Sequence, residues 1–392
     1  MRKRLNKLLR RLGYELNIYQ GEPGYDDSCV SLKTEGDPKG NVLIAFIIEP
    51  FLVKDESSIS STHQHDLVSF IMAKVFLQYG YNVDVIDYRN DQFVPDKKYT
   101  FFVSARTNLE KIKRRLNEDC TVIAHLDTAH YLFNNMAAYQ RLLDVQRRRK
   151  VTIVGRKNVE HNLAIEHADF ATVMGNRFTV DTYRYAGKPL YPLWGTSRHQ
   201  YPWNDAKDFE RCRNRFLWLG SSGMVHKGLD LVLEAFTSMP DLHLTVCGPV
   251  NKERQFEQAY EKELYHTSNI HTVGWVDIGS DEFLKIAADN VALIYPSCAE
   301  GKSGAALTCM QAGLIPILSY ESGVDVEDFG IILENCSVET ITSTITMVAK
   351  LPTRELAQRA KKTWQHARKY HTGEKLEEQY REIIGEIIER IR

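Results

Sequence analysis

Residues 291–318, VALIYPSCAEGKSGAALTCMQAGLIPIL, spell one structural unit that leaves few alternatives. Residues 291–295 form an apolar run that reads as a buried strand, and Pro296 ends it. Ser297, Gly301, Ser303 and Gly304 supply the small residues of a turn. Residues 305–311 read as a short buried helix that Gly313 stops, and residues 314–318 read as the next strand. A strand–turn–helix–strand unit aims the free backbone N–H groups of its helix at the crevice above the sheet. Gly304 and Ala305 open that helix, so this crevice suits a phosphate. Glu300 stands at its mouth. A carboxylate does not bind phosphate oxygens, so Glu300 is expected to face hydroxyl groups such as those of a sugar ring.

The same alternation runs through most of the chain. Residues 41–48, NVLIAFII, read as a strand buried on both faces, followed by a polar loop, a helix over 65–79 and a strand over 82–87. Further strands are expected at 100–103, 169–174 and 188–191, with helices at 109–116 and 136–149. From residue 192 to 213 the sequence is polar and aromatic without a period, and the domain junction is expected there. The pattern then restarts. Strands are expected at 215–219, 242–247, 270–273 and 330–333, and helices at 227–237, 254–264, 282–288, 338–349, 354–370 and 375–392. The fold class is therefore α/β, with two doubly wound Rossmann-like domains facing across a cleft and a helical tail. The expected divisions are an extension and connector over 1–40, with one extended piece around Cys29 to Leu32, a first domain over 41–195, a second over 196–365, and a final helix over 366–392.

A length of 392 residues fits two or three domains. The net charge of -1 offers nothing to nucleic acid. The seven cysteines are scattered, with no CxxC pair, and read as small core residues in a reducing compartment. No apolar run approaches about 18 residues, and no signal peptide is visible. At the start, Leu5, Leu8, Leu9 and Leu12 make one helical stripe amid six basic residues. Residues 1–12 fit either an anionic membrane surface or a helix docked on the protein.

A second ligand signal is the turn Gly220-Ser221-Ser222-Gly223 ahead of Lys227 and Gly228. Turn glycines admit close backbone approach, and Lys227 adds a cation at an expected helix start. Gly248, after a strand, offers a further close approach, here to a nucleotide. On the first domain, His125, Asp127 and His130 occupy a turn just past the strand 120–124, where side chains face the cleft. Thr62 and His63 precede the first long helix and are acceptor-side candidates. His63 and His65 stand two residues apart, which does not share a helix face, so no metal site is expected. Trp275 and Tyr295 sit at strand ends, as base-stacking or as core aromatics.

The Glu300-Gly301 turn and the run Ala312-Gly313-Leu314-Ile315-Pro316 resemble the donor-site signature of retaining GT-B glycosyltransferases of family 4. That signature carries a second Glu eight positions after the first, where this chain has Thr308. Lys227-Gly228 matches the Lys-Gly of the family's phosphate loop, whose Arg is replaced here by Ser221 or Ser222. The resemblance implies the GT-B fold, with the final helix crossing back onto the first domain. It implies sugar transfer from a nucleotide-sugar donor to a glycan or lipid-linked saccharide, in surface polysaccharide or glycoconjugate synthesis. It implies retention, no metal or other cofactor, and a cytoplasmic location, at most peripheral on the membrane. Glu300 would hold the donor sugar, Lys227 the diphosphate, and His125 would stand near the sugar from the first domain; Ser303 and Thr308 would complete the donor site. The departures at Ser221, Ser222 and Thr308 keep two other readings open: a sugar-nucleotide-binding scaffold and a nucleotide-sugar epimerase.

Overall fold

The computed structural model describes residues 28–52, 64–105, 107–197 and 199–391. The expectations for residues 1–12 and for Thr62 and His63 lie outside them. The first sheet has seven strands: β1 (Cys29–Leu32), β2 (Asn41–Phe46), β3 (Asn82–Asp87), β4 (Phe101–Ser104), β5 (Thr121–Leu126), β6 (Phe170–Met174) and β7 (Leu190–Leu193). Their order is β1-β3-β2-β4-β5-β6-β7, and only β1 runs antiparallel to its neighbour. Val42, Leu43, Ile44 and Ala45 are fully buried, because helices cover both faces of a parallel sheet.

The second sheet has six parallel strands: β8 (Arg215–Leu219), β9 (His243–Cys247), β10 (Ile270–Gly274), β11 (Ala292–Tyr295), β12 (Ile315–Leu318) and β13 (Ile331–Ile332). Their order is β10-β9-β8-β11-β12-β13. The chain winds outward one way from β8, then returns to β11 and winds the other way. A crevice opens at that reversal, beyond the carboxyl ends of β8 and β11.

β1 is the extended piece expected around Cys29–Leu32 in the connector, an edge strand whose Val30 and Leu32 pack on the first core while Ser31 Oγ donates to Asp84 Oδ1 at 2.6 Å. Other elements differ from expectation for local reasons. The expected helix over 254–264 is two helices, Arg254–Ala259 and Glu261–His266. Between them Tyr260 leaves helical geometry; its ring is fully buried and stacked on Phe256. One helix, Thr353–Tyr370, runs through the expected boundary at 365, and the chain turns only at His371.

Helices reach between the halves in both directions. The Gly373–Ile391 helix lays Ile383, Ile384, Ile387 and Ile388 into the first domain's core, and Glu377 pairs with Lys74 of the Gln64–Gln78 helix at 2.9 Å. In the other direction, the Tyr131–Arg149 helix reaches from β5 to the second domain. There Arg148 pairs with Asp230 at 2.5 Å and Glu234 at 3.0 Å, and Arg149 pairs with Glu263 at 2.6 Å and lies over the Tyr260 ring.

Candidate functional site

The crevice is built by two loops that interlock. After β8, residues 220–228 turn without helix, and the helix Leu229–Thr237 starts only beyond them. Lys227 is therefore a loop residue, not the helix opener expected from sequence. Gly228 sits in left-handed geometry at φ 72, and a Cβ there would come within 2.5 Å of the Pro296 carbonyl oxygen. Only glycine meets both demands, and its use lets the β8 loop nest against the β11 loop. His226 fastens the two: its carbonyl accepts from Cys298 N at 2.9 Å, and its Nε2 donates to the Ala299 carbonyl. Burial pushes the His226 imidazole down to about 4, so it stays neutral near pH 7.

This nesting sets Lys227 beside Glu300. Lys227 Nζ donates to Glu300 Oε1 at 2.7 Å and to Tyr295 Oη at 2.9 Å. Tyr295 Oη and Ser297 Oγ donate to the same Oε1 at 2.9 and 3.1 Å. Among the described residues no group donates to Oε2, so that oxygen is left for a ligand. Burial alone would raise the Glu300 carboxyl, but the charges of Lys227, of His226 once acid protonates it, and of Lys157 outweigh it and hold it well below the usual carboxylate range. Burial alone would lower the Lys227 ammonium, yet Glu300 and Tyr295 hold it well above the usual lysine range. Both groups are charged at neutral pH.

Around this pair lies a cleft of about 450 Å³ lined by both domains. Gly220, Ser221, Lys227, Gly248, Glu300, Ser303, Gly304, Ala305 and Thr308 of the expected donor set line it, and Asp127 lines it from the opposite side. The Gly304–Gln311 helix starts here, with Ser303 Oγ accepting from Ala306 N at 3.3 Å. The N–H groups of Gly304 and Ala305 precede the first intrahelical bonds, and both residues line the crevice. A Cβ on Gly301 would overlap the Asp127 carbonyl oxygen, so glycine there lets the two domains' backbones touch at the cleft floor.

The other expected residues divide between the interior and the cleft wall. His125 is fully buried: β5 runs on to Leu126, which places His125 opposite Thr172 of β6, with Nδ1 2.9 Å from Thr172 Oγ1 and its ring against Phe46. It is a core histidine and does not line the cleft. His130 caps the Tyr131–Arg149 helix start, buried among Tyr131, Tyr183 and Tyr185, also away from the cleft. Ser222 and Gly223 turn away from it, because Glu253 accepts from Ser222 Oγ and from Gly223 N. Thr308 faces Ser197 of the interdomain connection, with 3.4 Å between their hydroxyl oxygens. Tyr295 is a core aromatic at 1% exposure, whereas Trp275 is 61% exposed on the cleft wall.

The cleft also holds residues that motif reading passes over. His65 lines it with its Nδ1 3.7 Å from Asp127 Oδ2. Lys157 and Lys302 line it too. Lys302 turns its ammonium over the Trp194 ring, and burial pushes it down to about 8. Its place in the Gly-Lys-Ser-Gly turn was a usable signal; Lys157, in a polar segment far from any motif, carried none. Among the described residues, no three His, Cys, Asp or Glu side chains gather as a metal would require.

Two doubly wound domains, a cleft at the switch point of the second sheet and a terminal helix returning to the first define the GT-B fold. No family model matches the chain, and no curated protein matches it in sequence. Its likeness to solved structures is extensive in coverage and low in identity. It is similar to sucrose-phosphate synthase from Thermosynechococcus elongatus at 13% identity and a TM-score of 0.64, over 91% of this chain and 100% of that one. It is similar to HepE from Anabaena, solved with UDP and glucose, at 10% identity and a TM-score of 0.57, over 88% of this chain and 99% of that one. A glycosyltransferase from Rickettsia africae matches at 9% identity and a TM-score of 0.59, over 89% of this chain and 99% of that one. At such identities the likeness establishes the fold.

Proposed function

We propose that the protein is a glycosyltransferase that takes a sugar from a nucleotide-sugar donor bound at the switch point of the second domain. The buried Lys227–Glu300 pair beside a free helix start carries this reading. The diphosphate would rest on the N–H groups of Gly304 and Ala305, with Lys227 offsetting the charge that grows on it as the glycosidic bond breaks. Glu300 Oε2 would accept from donor-sugar hydroxyls. Trp275 would stack on the base, beside the close approach that Gly248 allows. Asp127 and His65, across the cleft, would meet the acceptor hydroxyl. The UDP and glucose held by HepE support the ligand class.

The family resemblance supports retention of anomeric configuration, metal-independent transfer, and a glycan or lipid-linked saccharide acceptor in polysaccharide or glycoconjugate synthesis. A cytoplasmic site of action fits the unpaired cysteines, all seven of which are free. No described helix is long and apolar enough to cross a membrane. Attachment to an anionic membrane would then come from residues 1–12 and shows as salt-sensitive sedimentation with anionic liposomes that their deletion removes.

One observation favours a second reading. Thr308 stands where the resemblance expects a carboxylate for the ribose, and this suits a sugar-nucleotide-binding scaffold without turnover. Calorimetry with UDP, GDP, ADP and dTDP, followed by donor hydrolysis on any that bind, separates the two. Binding with hydrolysis supports the transferase, and binding without it supports the scaffold.

A further inference from the structure

The glycine loop after β8 lacks a second cation, and the one it has is engaged. Lys227 sits 2.7 Å from Glu300, so the pair presents little net charge to an anion. A helix start offers only about half a unit of positive charge. A diphosphate in this cleft needs more.

Lys157 is placed to provide it. It belongs to the chain between the Tyr131–Arg149 helix and β6, on the first domain, yet it packs on the second domain's glycine loop. A Cβ built on Gly223 would lie 3.0 Å from Lys157 Cβ. Its side chain is exposed and lines the cleft together with Gly220, Ser221 and Lys227. Its backbone is held at both ends of a short span. Asn134 Nδ2 donates to the Lys157 carbonyl at 3.2 Å, and Asn135 exchanges two hydrogen bonds with Val159, at 2.9 and 2.8 Å. Just upstream, Ile153 is buried in the second domain's core and Val154 N donates to Gln255 Oε1 at 2.8 Å. A segment clamped this way holds the Lys157 side chain at the cleft, against the glycine loop. Its positive charge already helps depress the Glu300 carboxyl, so its field reaches the point where the sugar and diphosphate would meet.

We infer that Lys157 supplies, from the first domain, the second cation of the diphosphate site, in place of the loop cation that Ser221 and Ser222 have replaced. The inference rests on the donor-site reading above. It also makes diphosphate binding a bridge between the two domains.

The test is calorimetry on the full-length protein with UDP, GDP, ADP and dTDP and with their parent nucleosides. For whichever diphosphate binds, Lys157→Met is expected to weaken it about tenfold, the lower part of the range for hydrogen bonds to charged groups, given the exposed position. Nucleoside affinity is expected to stay unchanged, which also reports an intact fold. Lys157→Arg is expected to keep most of the affinity. A Met variant that binds the diphosphate like wild type, or that loses nucleoside and diphosphate alike, overturns the inference while leaving the donor reading in place. An Arg variant as weak as the Met variant overturns it as well. Failure of the wild-type protein to bind any diphosphate removes the donor reading itself, and this inference with it.

Discussion

Lys227 Nζ and Glu300 Oε1, 2.7 Å apart, join the end of β8 to the end of β11 across the switch point. Both side chains are largely buried, at 6% and 13% exposure. The pair thus acts twice, as a fastener between two loops and as the polar floor of the cleft.

Replacing Glu300 by Gln separates those roles. The carboxyl lies below its usual range in the folded protein, so its stabilisation is present above the ordinary carboxylate pKa and is lost as pH falls. Melting temperature should therefore fall more steeply from pH 6 to pH 3 in wild type than in Glu300→Gln. At pH 7 the variant should melt lower, because Lys227 keeps its charge without a counter-ion, and should bind a nucleoside diphosphate no more weakly. Identical pH profiles for the two proteins would show that the carboxylate carries no linked stability.

Lys227→Ala should lose about 1.5–3 kcal/mol of nucleoside diphosphate affinity, as expected for a charge-assisted hydrogen bond. Nucleoside affinity should hardly move. Equal losses for both ligands in calorimetry would assign Lys227 to the loop fastener alone.

Trp275→Ala gives the opposite signature. An exposed ring on the cleft wall that stacks on a base contributes to nucleoside and diphosphate affinity equally, by about 1–3 kcal/mol as in other base–aromatic stacks. A variant that binds the nucleoside as wild type does would move the base elsewhere in the cleft.

The strut between the domains makes a separate prediction. Asp230 is fully buried under Arg148, and burial pushes its carboxyl up to about 6 despite Arg141 and Arg148. Arg148→Ala strands that carboxylate, at a cost of about 3–5 kcal/mol for a broken buried pair. Because the folded carboxyl titrates above its unfolded value, the penalty is present at higher pH and is relieved as pH falls through the folded pKa. The variant's deficit in melting temperature should therefore shrink between pH 7 and pH 5. A deficit that is constant with pH would mean that packing, not charge, is what Arg148 supplies.

Much of the fold was legible because strands buried on both faces of a parallel sheet are unbroken apolar runs, as in 42–46 and 292–295. Lys227 and Glu300 could be placed near each other because glycine turns at strand ends mark the carboxyl edge of such a sheet. His125 could not be read correctly. Two further residues of β5 decide whether its ring faces the cleft or Thr172, and strand ends carry little local signal. Lys157 was invisible for a different reason. It reaches the cleft because Arg148 and Arg149 dock their helix on the other domain, a contact between residues far apart in sequence. The edge strand β1 was legible as an extended piece at Cys29–Leu32, but its partner was not, because the pairing with β3 and the Ser31–Asp84 contact join residues far apart in sequence.

A cleft that turns over a nucleotide sugar with Glu300 at the sugar must release nucleoside diphosphate from its donor at a rate that depends on that carboxylate. The most direct measurement is release of nucleoside diphosphate from a panel of UDP-, GDP-, ADP- and dTDP-linked sugars, by wild type and Glu300→Gln side by side. Wild type is expected to hydrolyse at least one donor slowly, and the variant about 10²-fold more slowly, as when one preorganised polar contact to a transition state is lost. Release from no donor, or equal rates for the two proteins on every donor, would contradict that expectation.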